Sequence, residues 1–304
     1  MFSSSYRSFH LSEQVQAATH FPDIFIPRDA DSHKGTHGTL AVIGGAVGMS
    51  GAIILAATAA LYNGCGKVWA GFNQNMLPLP VIPEHPEIML ATAAVLQRRQ
   101  DISAWVVGCG LDVYNDALHI VQMRLEADSD KPLLLDADAL NLLARHKTEL
   151  EESAQDYHTL VLTPHPAEAA RLLGITTAEI QADRVAAVQR ISEMFQAYTV
   201  LKGNQTLVCD PNGQLYTNHS GNPGLGTAGS GDVLSGIIGS LLAQGIETWQ
   251  AVCGGVWLHG AAADVLRDSE IGETGIVAGE VAPAARWLRN QIIRMHHPAH
   301  GSSD

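Results

Sequence analysis

Asn222-Pro223-Gly224-Leu225-Gly226-Thr227-Ala228-Gly229-Ser230-Gly231-Asp232-Val233-Leu234-Ser235-Gly236 is a glycine-rich turn that runs into an apolar helix. Val233, Leu234, Ile237, Ile238, Leu241 and Leu242 recur at helical intervals, and Gly245 is a C-terminal stop. The first amides of a helix have no intrahelical acceptor and sit at the positive end of its dipole, so they attract an anion. Glycines let that backbone reach positive φ and approach a phosphate closely. Asp232 falls in the first turn, where a carboxylate can take a proton from a group attacking that phosphate. The bland account is a glycine loop stabilised by an acidic cap.

The strands around this turn decide between the two accounts. Thr39–Ile43, Ala104–Val107, Pro132–Leu135, Thr159–Leu162 and Tyr198–Leu201 read as short buried strands separated mostly by helical stretches. Ala52 to Asn63 reads as a helix stopped by Gly64. This alternation predicts an α/β fold with a mostly parallel central sheet and helices on both faces. Each strand ends in glycine, carboxylate, histidine or lysine: Gly108-Cys109-Gly110, Asp136-Ala137-Asp138, Thr163-Pro164-His165-Pro166 and Lys202-Gly203. Open sheets of this kind bind ligands at the carboxyl ends of their strands. Gln205–Cys209 and Gln214–Asn218 flank Asp210-Pro211-Asn212-Gly213 and predict an antiparallel hairpin near residues 205–218.

Composition narrows the partners. With a net charge of −13 over 304 residues, nucleic acid and anionic membrane surfaces are poor partners. A bound phosphate needs local neutralisation by backbone dipoles, a lysine or a metal. The four cysteines Cys65, Cys109, Cys209 and Cys253 are scattered without a CxxC pair, which fits reduced thiols in a cytoplasmic protein. No secretory signal opens the chain. Residues 39–63 are uncharged and long enough to span a membrane, but Gly44, Gly45, Gly48 and Gly51 divide them into strand, turn and helix. We expect an irregular segment over 1–25, one domain over 26–292 and a polar tail over 293–304.

Two familiar phosphate motifs fail. Lys67 follows Gly66 but is followed by Val68, and no earlier glycine has P-loop spacing. Gly45, Gly48 and Gly51 stand at the wrong intervals for a dinucleotide fingerprint.

The ordered set Lys34-Gly35, Gly44 to Ala52, Gly108-Cys109-Gly110-Leu111, Asp136 to Leu140, Thr163 to Glu168, Lys202 to Thr206 and Ala228 to Asp232 resembles the ADP- or ATP-dependent NAD(P)H-hydrate dehydratases. The resemblance spans about residues 26–290 and implies a ribokinase-like fold. It departs at Gly110-Leu111-Asp112, which lacks a further glycine, and at Cys109, which replaces a usual proline. The chain is similar to the stand-alone form, without the epimerase domain that many bacterial members carry.

What the resemblance implies is dehydration of hydrated NADH or NADPH (the S epimer), driven by ADP (or ATP) with Mg²⁺. Asp232 is then the base. Gly229, Ser230 and Gly231 form the anion hole. Ala52, Gly110 and His165 contact the hydrated cofactor. Lys202, Gly203, Asn204, Gln205 and Thr206, with Gly231, bind the nucleotide. No metal-ligand set is expected from the protein itself. The implied partners are an NAD(P)H-hydrate epimerase and copies of the same chain in a homo-oligomer, a tetramer by resemblance.

The residues by themselves leave several roles open. Lys202 is also consistent with a solvated strand end, and His165 with a structural hydrogen bond. Asp136 and Asp138 read slightly better as caps for the helix at Ala139 than as ligand groups, and Asn141 is undecided. Glu168 suits the helix dipole. Trp257, Leu258 and His259 read as packing or a subunit contact. His296, His297 and His300 read as a solvated tail. The competing activities are a vitamin-precursor kinase of the same fold and a silent nucleotide sensor.

Overall fold

The computed structural model describes residues 19–127 and 130–297. Its strands are β1 (Thr39–Gly44), β2 (Lys67–Phe72), β3 (Met89–Thr92), β4 (Ala104–Val107), β5 (Leu133–Leu135), β6 (Leu160–Leu162), β7 (Tyr198–Leu201), β8 (Leu207–Cys209) and β9 (Leu215–Thr217). They form one sheet in the order β3-β2-β1-β4-β5-β6-β7-β8-β9. Pairing is parallel from β3 to β7, and β8 and β9 add an antiparallel edge. The mostly parallel sheet and the hairpin agree with the sequence reading. Two strands were not foreseen: β2 and β3. Lys67–Phe72 carries a lysine and a glycine, and Met89–Thr92 is four residues long, so neither reads as a continuous apolar run.

Eleven helices accompany the sheet among the described residues. Four pack on one face: α1 (Ser50–Tyr62), α9 (Ser230–Ala243), α10 (Thr248–Arg267) and α11 (Ala278–His296). On the other face lie α2 (Ala93–Leu96), α3 (Asn115–Leu125), α4 (Asp138–Arg145), α5 (Lys147–Gln155), α6 (Pro166–Leu173), α7 (Thr177–Ala182) and α8 (Arg184–Phe195). Strand residues alternate between the two cores. Leu40, Val42, Val106 and Leu134 face the first, whereas Ala41, Ile43, Trp105, Val107, Leu133 and Leu135 face the second. Both faces are therefore apolar, which is why these strands read as continuous hydrophobic runs.

The α1–α9 contact is backbone to backbone. A Cβ on Gly236 would stand 2.1 Å from the carbonyl oxygen of Ala56, and one on Gly239 would stand 2.4 Å from Val106. Alanine-rich α1 and glycine-bearing α9 are thus matched surfaces.

At the N-terminus, Pro22–Phe25 forms one 3-10 turn with Ile24 and Phe25 buried, in place of the irregular course expected up to residue 25. Phe25 meets Trp257 edge-on at 5.9 Å, so Trp257 packs inside this chain. At the other end α11 continues through residue 293 to His296. His300 lies outside the described residues. Among the described residues no helix is long and apolar enough to cross a membrane.

Candidate active site

The chain runs outward from β1 through β2 to β3, then returns to the other side of β1 with β4. That reversal is a topological switch point, where the loops after β1 and β4 part and leave a crevice. Those loops are tightly joined at their base. Gly45 N–H donates to Cys109 O at 3.0 Å and Ala46 N–H to Gly110 O at 2.7 Å. Gly110 has φ of 61°, and a Cβ there would press on Met49 at 2.8 Å and Ala52 at 3.2 Å. Ala52 and Gly110 therefore pack closely against each other.

The glycine-rich turn opens α9 against α1. Gly229 caps α9 with φ of 88°, and a Cβ there would meet Leu55 at 2.3 Å. Glycine is required on both counts. The Ser230 N–H makes a long bond to Thr227 O at 3.4 Å. Gly231 and Asp232 follow in the first turn, where amides lack intrahelical partners. Asp232 is half-buried. Its carboxyl is pushed up to about 6 by burial first and by the charge of Asp136 second, against a hydrogen bond from Cys109. Cys109 is fully buried, and burial together with Asp232 holds its thiol well above the usual range, so it stays a protonated donor.

Asp136, Lys202, Glu168 and Ser235 meet beneath the turn. Lys202 Nζ lies 2.7 Å from Asp136 Oδ1 and 3.9 Å from Glu168 Oε2. Ser235 Oγ donates to Asp136 Oδ2 at 2.8 Å. The ammonium also stands 3.4 Å from where a Gly231 Cβ would lie. Burial works against the charge on Lys202, but Asp136 and Glu168 outweigh it and hold its pKa above the ordinary value. Lys202 is thus no solvated strand-end lysine. Nor are the two aspartates helix caps: α4 has no side-chain cap, and Asp138 Oδ2 instead accepts from Asp112 N–H at 2.9 Å. Asn141 Oδ1 accepts from Arg171 at 2.9 Å.

His165 caps α6. Its Nδ1 accepts from Ala167 N–H at 3.1 Å, and its Nε2 lies 3.2 Å from Glu168 Oε1. Glu168 returns the bond by accepting from His165 N–H at 2.8 Å. The structural role left open for His165 is therefore present, with 46 % of its side chain exposed toward solvent.

Four residues make contacts at the site that the sequence reading did not assign to them. Asp136 is the hub of the ion cluster, and Cys109 donates to Asp232. Arg184 gathers carbonyls from the end of β7 and the segment after it, namely Leu201 at 3.1 Å, Lys202 at 3.4 Å, Gln205 at 3.3 Å, and Asn204. Gly203, Asn204 and Gln205 are exposed, and Thr206 Oγ1 donates back to Gly203 O at 3.0 Å. His259 is the fourth. Its Nε2 lies 3.4 Å from Ser230 Oγ under the anion turn, and burial lowers its pKa to about 4, so the ring is neutral. Each joins residues far apart in sequence, a relation that no local motif encodes.

Two large cavities lie elsewhere. One of about 1100 Å³ is lined by Arg28, Asn63, Gln244 and Arg289, and one of about 820 Å³ runs between α1 and α11. Neither is lined by Asp232. Among the described residues no cluster of three or more histidine, cysteine or acidic side chains is arranged to hold a metal ion.

Residues 40–277 match the family model of NAD(P)H-hydrate dehydratase, which takes in every strand and the anion turn. This chain belongs to that family. It is 58% identical over 291 residues to the ADP-dependent (S)-NAD(P)H-hydrate dehydratase of Neisseria meningitidis, covering 94% of this chain and 98% of the relative. It is 40% identical to the bifunctional NAD(P)H-hydrate repair enzyme of Escherichia coli, of which it spans 50%. It thus corresponds to about half the length of the bifunctional members. Among solved structures, the ADP/ATP-dependent NAD(P)H-hydrate dehydratase of Bacillus subtilis, co-crystallized with ATP/Mg²⁺, superposes with a TM-score of 0.77 at 32% identity, covering 88% of this chain and 94% of that one. A ribokinase-like superfamily protein of Enterococcus faecalis also gives a TM-score of 0.77, at 26% identity. The dehydratase family and the ribokinase-like fold are thereby established for this chain.

Proposed function

We propose that this chain catalyses the ADP-dependent dehydration of the S epimer of hydrated NADH and NADPH, restoring the reduced cofactor. The observation that carries this reading is the placement of Asp232 in the first turn of α9, beside unpaired amides at the sheet's switch point. Family membership and the relatives' activities support it.

The ring hydroxyl of the hydrate is a poor leaving group. Asp232 takes its proton as the oxygen attacks the terminal phosphorus of ADP, and AMP departs. First-turn amides of Gly231 and its neighbours, with the Lys202 ammonium close by, stabilise charge on the migrating phosphoryl group. Phosphate then leaves the ring carbon, expelled by the ring nitrogen's lone pair. Loss of a proton from the adjacent carbon restores the double bond. The sum is hydrate plus ADP giving reduced cofactor, AMP and phosphate. Mg²⁺ bound with the nucleotide's phosphates neutralises their charge.

In this reading Ala52, Gly110 and the exposed part of His165 border the nicotinamide side. Gly203–Thr206, braced by Arg184, border the nucleotide. The upstream partner is an epimerase that supplies the S form, the work of the second domain in longer family members. We further assign a cytoplasmic setting, in keeping with four free and buried cysteines, and a homo-oligomer of four copies. Incubation with hydrated NADH and ADP is expected to bring back the reduced-nicotinamide absorbance. Absence of recovery with either ADP or ATP, together with phosphorylation of a vitamin alcohol, would replace this reading by the kinase one.

A further inference from the structure

The segment from Gly221 to Gly229 carries the chain from the β8–β9 hairpin to the start of α9. Four of its nine residues are glycine. Holding such a segment in one conformation costs more entropy than holding an ordinary loop. Its only regular element is the 3-10 turn Pro223–Leu225. The contacts that fix it come from outside.

They come from α10. Every residue from Ala251 to Leu266 is buried, which makes this helix a firm anchor. Ser220 Oγ donates to Trp257 O at 2.9 Å. Gly260 lets the two backbones meet: a Cβ there would stand 2.3 Å from Ser220 Oγ and 2.7 Å from Ser220 O. One turn further on, the buried Asp264 carboxylate uses both oxygens. Oδ2 accepts from Gly221 N–H at 2.7 Å, and Oδ1 accepts from Asn222 Nδ2 at 3.0 Å. The second bond sets which way the Asn222 amide points. Asn222 Oδ1 is thereby left to accept from Gly224 N–H at 3.0 Å, and it caps the 3-10 turn. At the far end His259, on the same helix, has Nε2 3.4 Å from Ser230 Oγ. One helix thus holds both ends of the segment that delivers the first turn of α9.

We propose that Asp264 is a positioning residue for the phosphoryl transfer: through Gly221 and Asn222 it fixes the glycine-rich segment and so aims the first amides of α9 at the migrating group. It acts through the Asn222 amide and not on the reactants. The role rests on the reaction assigned to Asp232. The amides of that turn meet charge that grows as the phosphoryl group moves, so misaiming them costs more in turnover than in nucleotide binding.

The test exchanges the two side chains. In Asp264→Asn one donor faces another whichever way the amides of 264 and 222 turn, because the N–H groups of Gly221 and Gly224 each need an oxygen. Adding Asn222→Asp restores an acceptor opposite every donor from 221 to 224. Arg267, which also bonds Asp264 Oδ1 at 3.1 Å, is 39% exposed and bonded twice to Asp268, so it can turn from the new amide. Asp264→Asn is expected to lower kcat about tenfold or more, short of the roughly 10²–10³-fold loss of a deleted anion-hole donor. ADP affinity by calorimetry should stay within about threefold of wild type. The double exchange should recover most of the lost kcat. Amide hydrogen exchange across residues 221–231 should quicken in Asp264→Asn and slow again in the double variant. Asn222→Ala, at a half-buried position, should lose kcat in the same way and gives the reading if Asp264→Asn does not melt cooperatively.

Wild-type kcat in Asn222→Ala, no recovery in the double exchange, an ADP affinity that falls as far as kcat, or unchanged amide exchange in Asp264→Asn would each overturn the proposal. A wild type without turnover on hydrated NADH would instead remove the reaction, and amide exchange would still decide whether Asp264 pins the segment.

Discussion

Lys202 and Asp136 join the ends of β7 and β5 through a bond of 2.7 Å between Nζ and Oδ1. The aspartate is almost fully buried and shares its other oxygen with Ser235. Removing one partner of such a pair strands the other charge, a loss of about 3–5 kcal/mol. Asp136→Ala is therefore expected to lower the urea midpoint strongly. Lys202→Ala should do the same and weaken ADP binding as well. Wild-type calorimetric affinity in a folded Lys202→Ala protein would remove the lysine from the nucleotide site.

Asp232→Asn keeps the shape of the first turn and deletes the base. Turnover should fall by about 10²–10⁴-fold, the usual worth of a placed proton acceptor. ADP affinity should stay within a few-fold of wild type. Near-normal turnover of the variant would end the assignment.

The pH dependence follows from the same carboxyl. A group titrating at about 6 is ionised at neutral pH and protonated below it, so kcat/KM should drop with falling pH through about pH 6. Stability runs the other way. A carboxyl raised from 3.8 to about 6 binds its proton more tightly in the folded state, so its ionisation opposes folding above that range. Asp232→Asn should thus be more stable than wild type at pH 7.5, by roughly 1–3 kcal/mol after allowance for partial exposure. Equal melting temperatures would contradict the raised value.

His259 gives the opposite slope. Its pKa is lowered from 6.5 to about 4, so the stability it contributes is full above 6.5 and is lost as pH falls toward 4. His259→Gln should flatten the decline in denaturation midpoint between pH 6.5 and 4. An unchanged slope would mean that other groups carry the acid sensitivity.

Arg184 holds the carbonyls of Leu201, Lys202, Asn204 and Gln205, a spread that a lysine cannot span. Arg184→Lys should raise the KM for ADP several-fold while leaving kcat nearly intact. A fall in kcat alone would place its influence on the chemical step.

Much of this was legible in the sequence because it is local. The anion turn, the α9 periodicity and the polar strand ends each reside within a dozen residues. So does the Asn-Gly hairpin, although its strands are shorter than the flanking sequence suggested. The burial of Ile24 and Phe25 was hidden because it depends on α10 and α11, more than two hundred residues away. Asp136 read slightly better as a cap than as a ligand group because nothing near it announces Lys202 or Ser235. Cys109 read as a mere departure from the family pattern, whereas its contact with Asp232 exists only once β4 lies beside α9. Strand β2 escaped because its lysine and glycine break the apolar run.

Gly236 against the Ala56 carbonyl leaves no clearance between two helices whose starts both border the crevice. Neither can slide or roll without a steric collision, so Asp232 rides on a fixed strut. The connecting loops are the less constrained part of this region, and there Val47 and Met76 stand more than three-quarters uncovered. Changes of ligand preference are accordingly expected to accumulate in those loops, while the strut pair resists any residue larger than glycine at its crossing.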